Sequence, residues 1–186
     1  RIGSRFLRAG PAYGGSCFPK DISALAVTAD LYKTNLSIIK SVIKSNSNRR
    51  NLLINRIQKI LSNRIKKRKI SVLGVTFKPN TDDMRQSSSL MLLPFLHKKG
   101  AIINYYDPSG EKKEFFKLKN VFFCKNIKDA CKDTDLIIIH TEWDEFKTID
   151  FKKISNKRKF KIYDMRNLYS PKKMSKLGFS YYSIGR

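Results

Sequence analysis

From residue 70 onward, short apolar runs alternate with polar, turn-rich stretches. Ile70-Ser71-Val72-Leu73-Gly74-Val75, residues 101–106, residues 121–124, residues 135–140, residues 160–164 and residues 179–184 each have the length and composition of a strand. The first has the near-continuous apolar character of a strand buried in a parallel sheet. Between them, Leu90, Leu93 and Leu96 recur at helical spacing after Ser87-Ser88-Ser89, and Gly100 supplies a stop. Residues 127–131 read as a short helix. Strands alternating with helices predict an α/β fold with a doubly wound, Rossmann-like parallel sheet. Such sheets meet ligands at the carboxyl ends of their strands.

The first third of the chain follows a different period. Ile22, Leu25, Ala26, Ala29 and Leu31 predict a helix over 20–32, and Ile38, Ile39, Val42, Ile43, Leu52, Leu53, Ile57, Ile60 and Leu61 predict a second over 36–61. The middle of the second, Ser45-Asn46-Ser47-Asn48, holds poor helix formers and must bend or be held by packing. With no strand nearby in sequence, so long an apolar stripe calls for a partner. The organisation expected is therefore a helical segment with its leading loop over 1–65 and an α/β domain over 66–186. The dense run Arg64-Ile65-Lys66-Lys67-Arg68-Lys69 between them reads as a solvated connector.

The chemistry-bearing residues concentrate at Gly14-Gly15-Ser16-Cys17-Phe18-Pro19-Lys20-Asp21. Two glycines permit a sharp turn and close approach to a ligand. Pro19 suits the first position of a helix and disfavours the α region at Phe18. Asp21 then falls in the first helical turn, where the dipole favours a carboxylate. Cys17 lies just upstream of that helix mouth and near Lys20, two features that favour a nucleophilic thiolate. On the residues alone, an inert cysteine in a tight loop is the other reading.

Composition narrows the classes. The formal net charge of +24, from 39 lysines and arginines against 15 acidic residues, raises the question of nucleic acid. The basic residues are spread along the whole chain rather than gathered, so no nucleic-acid partner is expected; the field would favour nucleotide diphosphates. Cys17, Cys124 and Cys131 have no metal-ligand spacing and only His97 and His140 could supplement them, so neither a metal centre nor a disulfide framework is expected. His97 and His140, late on a helix and at a strand end, read as structural, and Cys124 and Cys131 as inert. No apolar run approaches the roughly 20 residues of a membrane span, and the opening residues lack a signal-peptide core. A cytoplasmic location is expected.

The stretch 14–21 closely resembles the active-site signature of the UDP-glucose/GDP-mannose dehydrogenase family, which oxidises nucleotide sugars at C6. Its Cys17-Phe18-Pro19-Lys20-Asp21 looks most like the UDP-glucose branch, although GDP-mannose and UDP-N-acetylhexosamine enzymes share the architecture. Phe77-Lys78-Pro79-Asn80-Thr81-Asp82-Asp83-Met84-Arg85 resembles the family's second signature, and Thr141-Glu142-Trp143 and Asp164-Met165-Arg166-Asn167 match it further on. The resemblance implies that Cys17 is the catalytic nucleophile and Asp21 assists hydrolysis. It implies that Arg1 reaches the sugar in a neighbouring subunit, and that Phe6, Leu7, Arg8, Ala9, Gly10, Tyr13 and Gly14 line the substrate with Phe77, Lys78 and Arg166. Lys20 and Arg85 would face NAD, UDP-glucose would be the substrate, and the central helix would form a homodimer. Asp107-Pro108 is expected to make a turn and Trp143 to pack.

Two departures qualify these expectations. Ala12 stands where the family usually has glycine; a positive φ there would cost of order 1 kcal/mol. No Gly-x-Gly-x-x-Gly fingerprint occurs in the chain. In the family the NAD-binding domain precedes this region, so the N-terminal half is expected to lie outside this chain and the chain alone to be inactive. The rival expectation is a non-catalytic nucleotide-sugar-binding or dimerisation module that has lost its cofactor domain.

Overall fold

The computed structural model describes residue 3, residues 7–154 and residues 160–185; the expected substrate contacts Arg1 and Phe6 lie outside the described residues. All six expected strands form: β1 (Lys69–Leu73), β2 (Ile102–Tyr106), β3 (Val121–Phe123), β4 (Leu136–Ile139), β5 (Lys161–Asp164) and β6 (Ser180–Ser183). They build one parallel sheet in the order β3-β2-β1-β4-β5-β6. Leu73 pairs with Ile139, Ile139 with Asp164 and Asp164 with Ser183, so the loops that follow these strands leave the sheet at one level. The order reverses between β1 and β4, the position where sheets of this kind open a ligand crevice.

Side-chain alternation sends successive strand residues to opposite faces. On one face Ile70, Val72, Ile103, Ile138 and Tyr163 pack with Leu92, Leu93 and Leu96 of α3 (Ser89–Lys98). On the other, Leu73, Ile137, Ile139 and Ile162 pack with Ala130 and Cys131 of α4 (Ile127–Cys131) and with Phe146, Phe151 and Met174. Met174 belongs to α5 (Pro171–Lys176), a helix the apolar period does not announce; its signal is Ser170-Pro171, with proline at the first helical position. No described helix is long and apolar enough to cross a membrane.

The helical segment departs from expectation in two ways. The first helix, α1, spans Cys17–Leu31, so it begins two residues before Pro19. Proline is tolerated there because the first four amides of a helix have no intrahelical acceptor. Asp21 is consequently in the second turn, and Phe18 is helical despite preceding proline. The second helix, α2 (Ser37–Ile60), does have a sheet beside it: Leu53, Ile54, Ile57 and Ile60 are buried in the same core as β1, β2 and α3. Its first half and α1 instead leave Leu25, Val27, Leu31, Tyr32 and Ile38 exposed. The expected join between residues 65 and 66 thus follows Ile65, itself part of the shared core.

Candidate functional site

The crevice between β1 and β4 is closed at its base by a glycine. Gly74 has φ +77, and a Cβ there would stand 2.5 Å from the Cβ of Thr141, so the loops after the two strands touch only because this residue lacks a side chain. Asp107, expected only to turn the chain after β2, also reaches across the sheet end. Its buried carboxylate accepts from the amides of Val75 at 2.7 Å and Thr76 at 3.3 Å. In a dinucleotide-binding sheet a glycine-rich turn cradles pyrophosphate at this position; here Thr141 and Asp107 fill the corresponding space.

Above this base lies Arg166, whose side chain is 10% exposed. The tight turn after β5 brings it in, because Asp164 accepts from the amides of Arg166, Leu168 and Tyr169 and from the Tyr181 hydroxyl. Its Nε donates to the His140 carbonyl at 3.0 Å and its Nη2 to the Phe77 carbonyl at 3.0 Å. Glu142 Oε2 lies 2.8 Å from Nε but has no aligned hydrogen, so it acts as a counter-charge rather than as an acceptor. Burial lowers the Arg166 pKa from the usual guanidinium value, and Glu142 and Asp164 oppose that shift. One cation thereby joins the loops that follow β1, β4 and β5.

A buried polar chain underlies it. Thr141 Oγ1 donates to the Thr76 carbonyl at 2.6 Å, so it must accept from His140 Nδ1 at 3.0 Å. That places the imidazole proton on Nδ1 and leaves Nε2 to accept from Ser88 Oγ at 2.7 Å. Burial first, and the nearby Arg166 second, push the His140 pKa down to about 3, which keeps the ring neutral. The expectation of a structural histidine agrees with this environment. Trp143 packs against the second core cluster, also as expected.

The glycine loop lies across these strand ends. A Cβ on Gly10 would meet Arg166 Nη1 at 2.7 Å, one on Gly14 the Gln86 carbonyl at 2.6 Å, and one on Gly15 the Phe77 ring at 2.8 Å. Each glycine is therefore a point of close approach between the loop and a different part of the strand-end site. Ala12 has no positive φ, so the strain considered for it does not arise. Gly15 does, at φ +85, and its amide donates to the Arg85 carbonyl at 2.8 Å.

The loop delivers Cys17 to the first position of α1, exposed to solvent, with Ser16 Oγ 3.7 Å from its sulfur. Spacing of four residues on one helix puts Asp21 a turn away on the same face as Cys17. The Lys20 Nζ lies 2.9 Å from Asp21, both side chains being exposed; this contact, with a smaller contribution from the charge of Cys17, raises the lysine's pKa. Leu7, Arg8 and Ala9 are exposed, as is Lys78, whose ammonium lies 5.3 Å from the centre of the half-buried Phe77 ring. Arg85 is exposed and gripped through two nitrogens by Asp83 at 2.9 to 3.2 Å; that contact holds the Asp83 carboxyl below the usual range. Lys20 and Arg85 line a cleft of about 560 Å³ together with Tyr13, Ser16, Arg50 and Gln86.

The sequence reading missed the residues of α2 that hold this loop. Asn46 pairs with both main-chain groups of Tyr13, Arg49 donates to the Gly10 carbonyl at 3.2 Å, and Arg50 donates to Gln86. Their signal was available: Asn46 and Arg50 occupy the helix stripe of Ile39, Ile43, Leu53 and Ile57, where an apolar residue is expected.

Comparison with known proteins follows the same map. The UDP-glucose/GDP-mannose dehydrogenase central-domain model matches residues 1–48 and the UDP-binding-domain model residues 71–171. Over its whole length the chain is 41% identical to UDP-glucose 6-dehydrogenase of Rickettsia prowazekii and 39% identical to that of Rhizobium meliloti. It spans about 43% of the length of these curated relatives. The solved UDP-glucose dehydrogenase of Pyrobaculum islandicum superposes on all of the chain with a TM-score of 0.80 at 26% identity, and 40% of that structure is covered. With the UDP-binding-domain match covering more than half of its residues, on the sheet that carries Arg166 and Phe77, the chain belongs to the UDP-glucose/GDP-mannose dehydrogenase family.

Proposed function

We propose that this chain is the substrate-binding and thiol-bearing part of an enzyme that oxidises UDP-glucose to UDP-glucuronate. The observation that carries this reading is the seating of the glycine loop on Arg166 and Phe77, which joins a helix-mouth thiol to a buried cation at the sheet's switch point. Arg166, Phe77 and the exposed Lys78 supply charge and an aromatic surface for the nucleotide diphosphate, with Leu7, Arg8, Ala9, Gly10, Tyr13 and Gly14 along the sugar. A carboxylate and two carbonyls already orient the Arg166 guanidinium, so little side-chain entropy is lost when it binds a phosphate. In the complete enzyme the exposed apolar positions of α1 and the first half of α2 form the homodimer contact, a smaller surface than the whole stripe.

Cys17 takes the central chemical role. Its sulfur adds to the C6 aldehyde left by the first oxidation, forming a thiohemiacetal, and the second oxidation converts this to a thioester. Amides of Cys17 and Phe18, at the helix start, are the donors offered to the oxyanion on C6. One such donor contributes about 3 kcal/mol to a transition state. Asp21, on the same helix face, removes a proton from the water that attacks the thioester; sugar carboxylate leaves and the thiol is regenerated. Covalent capture keeps the aldehyde bound between the two oxidations. NAD, when bound, accepts the hydride of each oxidation. On this chain Lys20 and Arg85, which line the cleft beside Cys17 together with Arg50, have the charge to hold its phosphates, while the filled base of the sheet crevice leaves the rest of its binding to residues beyond this chain.

The test is mass spectrometry of a Cys17→Ser variant of this chain joined to an NAD-binding domain, after incubation with UDP-glucose and NAD⁺. The expected result is a sugar ester held on the peptide that carries the substituted residue, with turnover at least a thousandfold below the parent. Parental turnover without any adduct would overturn the reading.

A further inference from the structure

Loops without helix or strand must find partners for their main-chain groups elsewhere. Residues 12–14, between the Gly10 and Gly15 contacts, belong to no regular element. Tyr13, at their centre, has both of its main-chain polar groups taken by one side chain. Asn46 Oδ1 accepts from the Tyr13 amide at 3.0 Å, and Asn46 Nδ2 donates to the Tyr13 carbonyl at 3.2 Å. The reverse amide orientation would set donor against donor and acceptor against acceptor, so the pairing also fixes how the Asn46 amide lies. This is the hydrogen-bonding pattern of a neighbouring strand, supplied by a single residue 33 positions away in sequence.

Where Asn46 stands makes the contact informative. The stripe Ile39, Ile43, Asn46, Arg50, Leu53, Ile57 runs along one side of α2 with helical spacing, and its last two members are buried in the core against the sheet. α2 is thus anchored at one end by the same core that carries Arg166, and it presents Asn46 to the loop from that fixed position. Two neighbours on the helix act on either side of the clamp. Arg49 holds the Gly10 carbonyl at 3.2 Å, and Arg50 holds Gln86, whose carbonyl packs against Gly14. Gln86 itself has φ 55, an uncommon conformation for a residue with a side chain. Tyr13 is completed by Phe18, whose ring meets its own edge to face at 4.9 Å. Asparagine in a stripe whose other members, Arg50 apart, are apolar gives up packing; its two main-chain bonds are what it contributes in return.

We infer that Asn46 is a positioning residue: it transmits the placement of α2 on the sheet to the loop that presents Cys17 and the proposed sugar contacts Gly10, Tyr13 and Gly14, without itself touching substrate. Leucine at this position would continue the stripe, favour the helix and keep nearly the same size while removing both bonds. Packing and positioning therefore predict opposite outcomes for Asn46→Leu. This inference rests on the proposed function only through the ligand; the clamp itself is read independently of it.

The experiment uses this chain with Asn46→Leu and Asn46→Gln, read by amide hydrogen exchange at Tyr13, thermal unfolding, and calorimetric titration with UDP-glucose. In Asn46→Leu the Tyr13 amide should exchange at least tenfold faster and the UDP-glucose dissociation constant should rise about tenfold, with the unfolding temperature equal to or above the parent's. Asn46→Gln, which keeps both an acceptor and a donor, should recover part of each loss. Unchanged exchange at Tyr13 in Asn46→Leu would overturn the clamp. A fall in unfolding temperature parallel to the loss of affinity in both variants would reduce Asn46 to packing and overturn it as well. If the parent does not bind UDP-glucose, the functional reading fails, and the Tyr13 exchange still decides the clamp.

Discussion

The strand-end half of the site and the helix-mouth half are built on opposite terms. At the strand ends, Arg166, Glu142, His140, Thr141 and Ser88 are buried or nearly so, and Arg166 and His140 are each tied to more than one neighbouring loop. At the helix mouth, Cys17, Lys20 and Asp21 are exposed, and their position depends on a loop held by α2. The difference follows from what each half must hold. A buried cation is costly unless its counter-charge and hydrogen bonds are already in place. On the proposed reading the thiol is reached by an aldehyde and must stay accessible, so its placement has to come through the main chain. The first half is therefore tied to stability, and the second is not.

The sharpest way to break this contrast is Arg166→Met. It leaves the Glu142 carboxylate without its cation and the carbonyls of His140 and Phe77 without their donor, and should cost about 3–5 kcal/mol in urea unfolding. The double variant with Glu142→Gln should recover part of that loss. A single variant as stable as the parent would mean that the strand-end network is not a buried, coupled unit.

A pH series sharpens the same point. The folded His140 pKa lies near 3 against about 6.5 unfolded, so between these values the unfolded chain binds the extra proton. The contribution of neutral His140 is complete above pH 6.5 and is lost as pH falls towards 3, with a slope of about 1.4 kcal/mol per pH unit. His140→Asn should remove this slope between about pH 6.5 and 5, above the range where most carboxylates titrate. An identical profile in the variant would count against the buried neutral ring.

The smallest effect is expected at the other half. Cys17→Ser should change stability by less than about 0.5 kcal/mol, as for other exposed positions. Iodoacetamide near neutral pH should modify Cys17 first, then the half-buried Cys124, whose pKa burial raises, and last the buried Cys131, whose pKa is pushed up to about 12. Peptide mapping that finds Cys124 ahead of Cys17 would remove the distinction between the halves.

Much of this arrangement is legible in the residues. Strand-length apolar runs locate all six described strands, and they put the loops at 76–85, 141–143 and 164–167 at strand ends, where the residues of the candidate site meet. The motif resemblance singles out Cys17, Phe77 and Arg166. Local signals are weaker at helix ends: Pro19 points to a start two residues late, because proline fits the whole first turn rather than one position of it. The short α5 has too few apolar residues for a period, and only Ser170-Pro171 marks it.

By itself, then, the sequence determined the class of fold, the order of its elements and the residue types available for chemistry, because periodicity and turn residues act over a few neighbours. Tertiary structure decided who meets whom. That Glu142 stands beside Arg166, that Asn46 grips Tyr13, and that the end of α2 belongs to the sheet's own core are contacts between segments well separated along the chain. No local pattern encodes such pairings. They arise because buried charges, loop amides and apolar stripes must each be satisfied by whatever the closed sheet brings within reach.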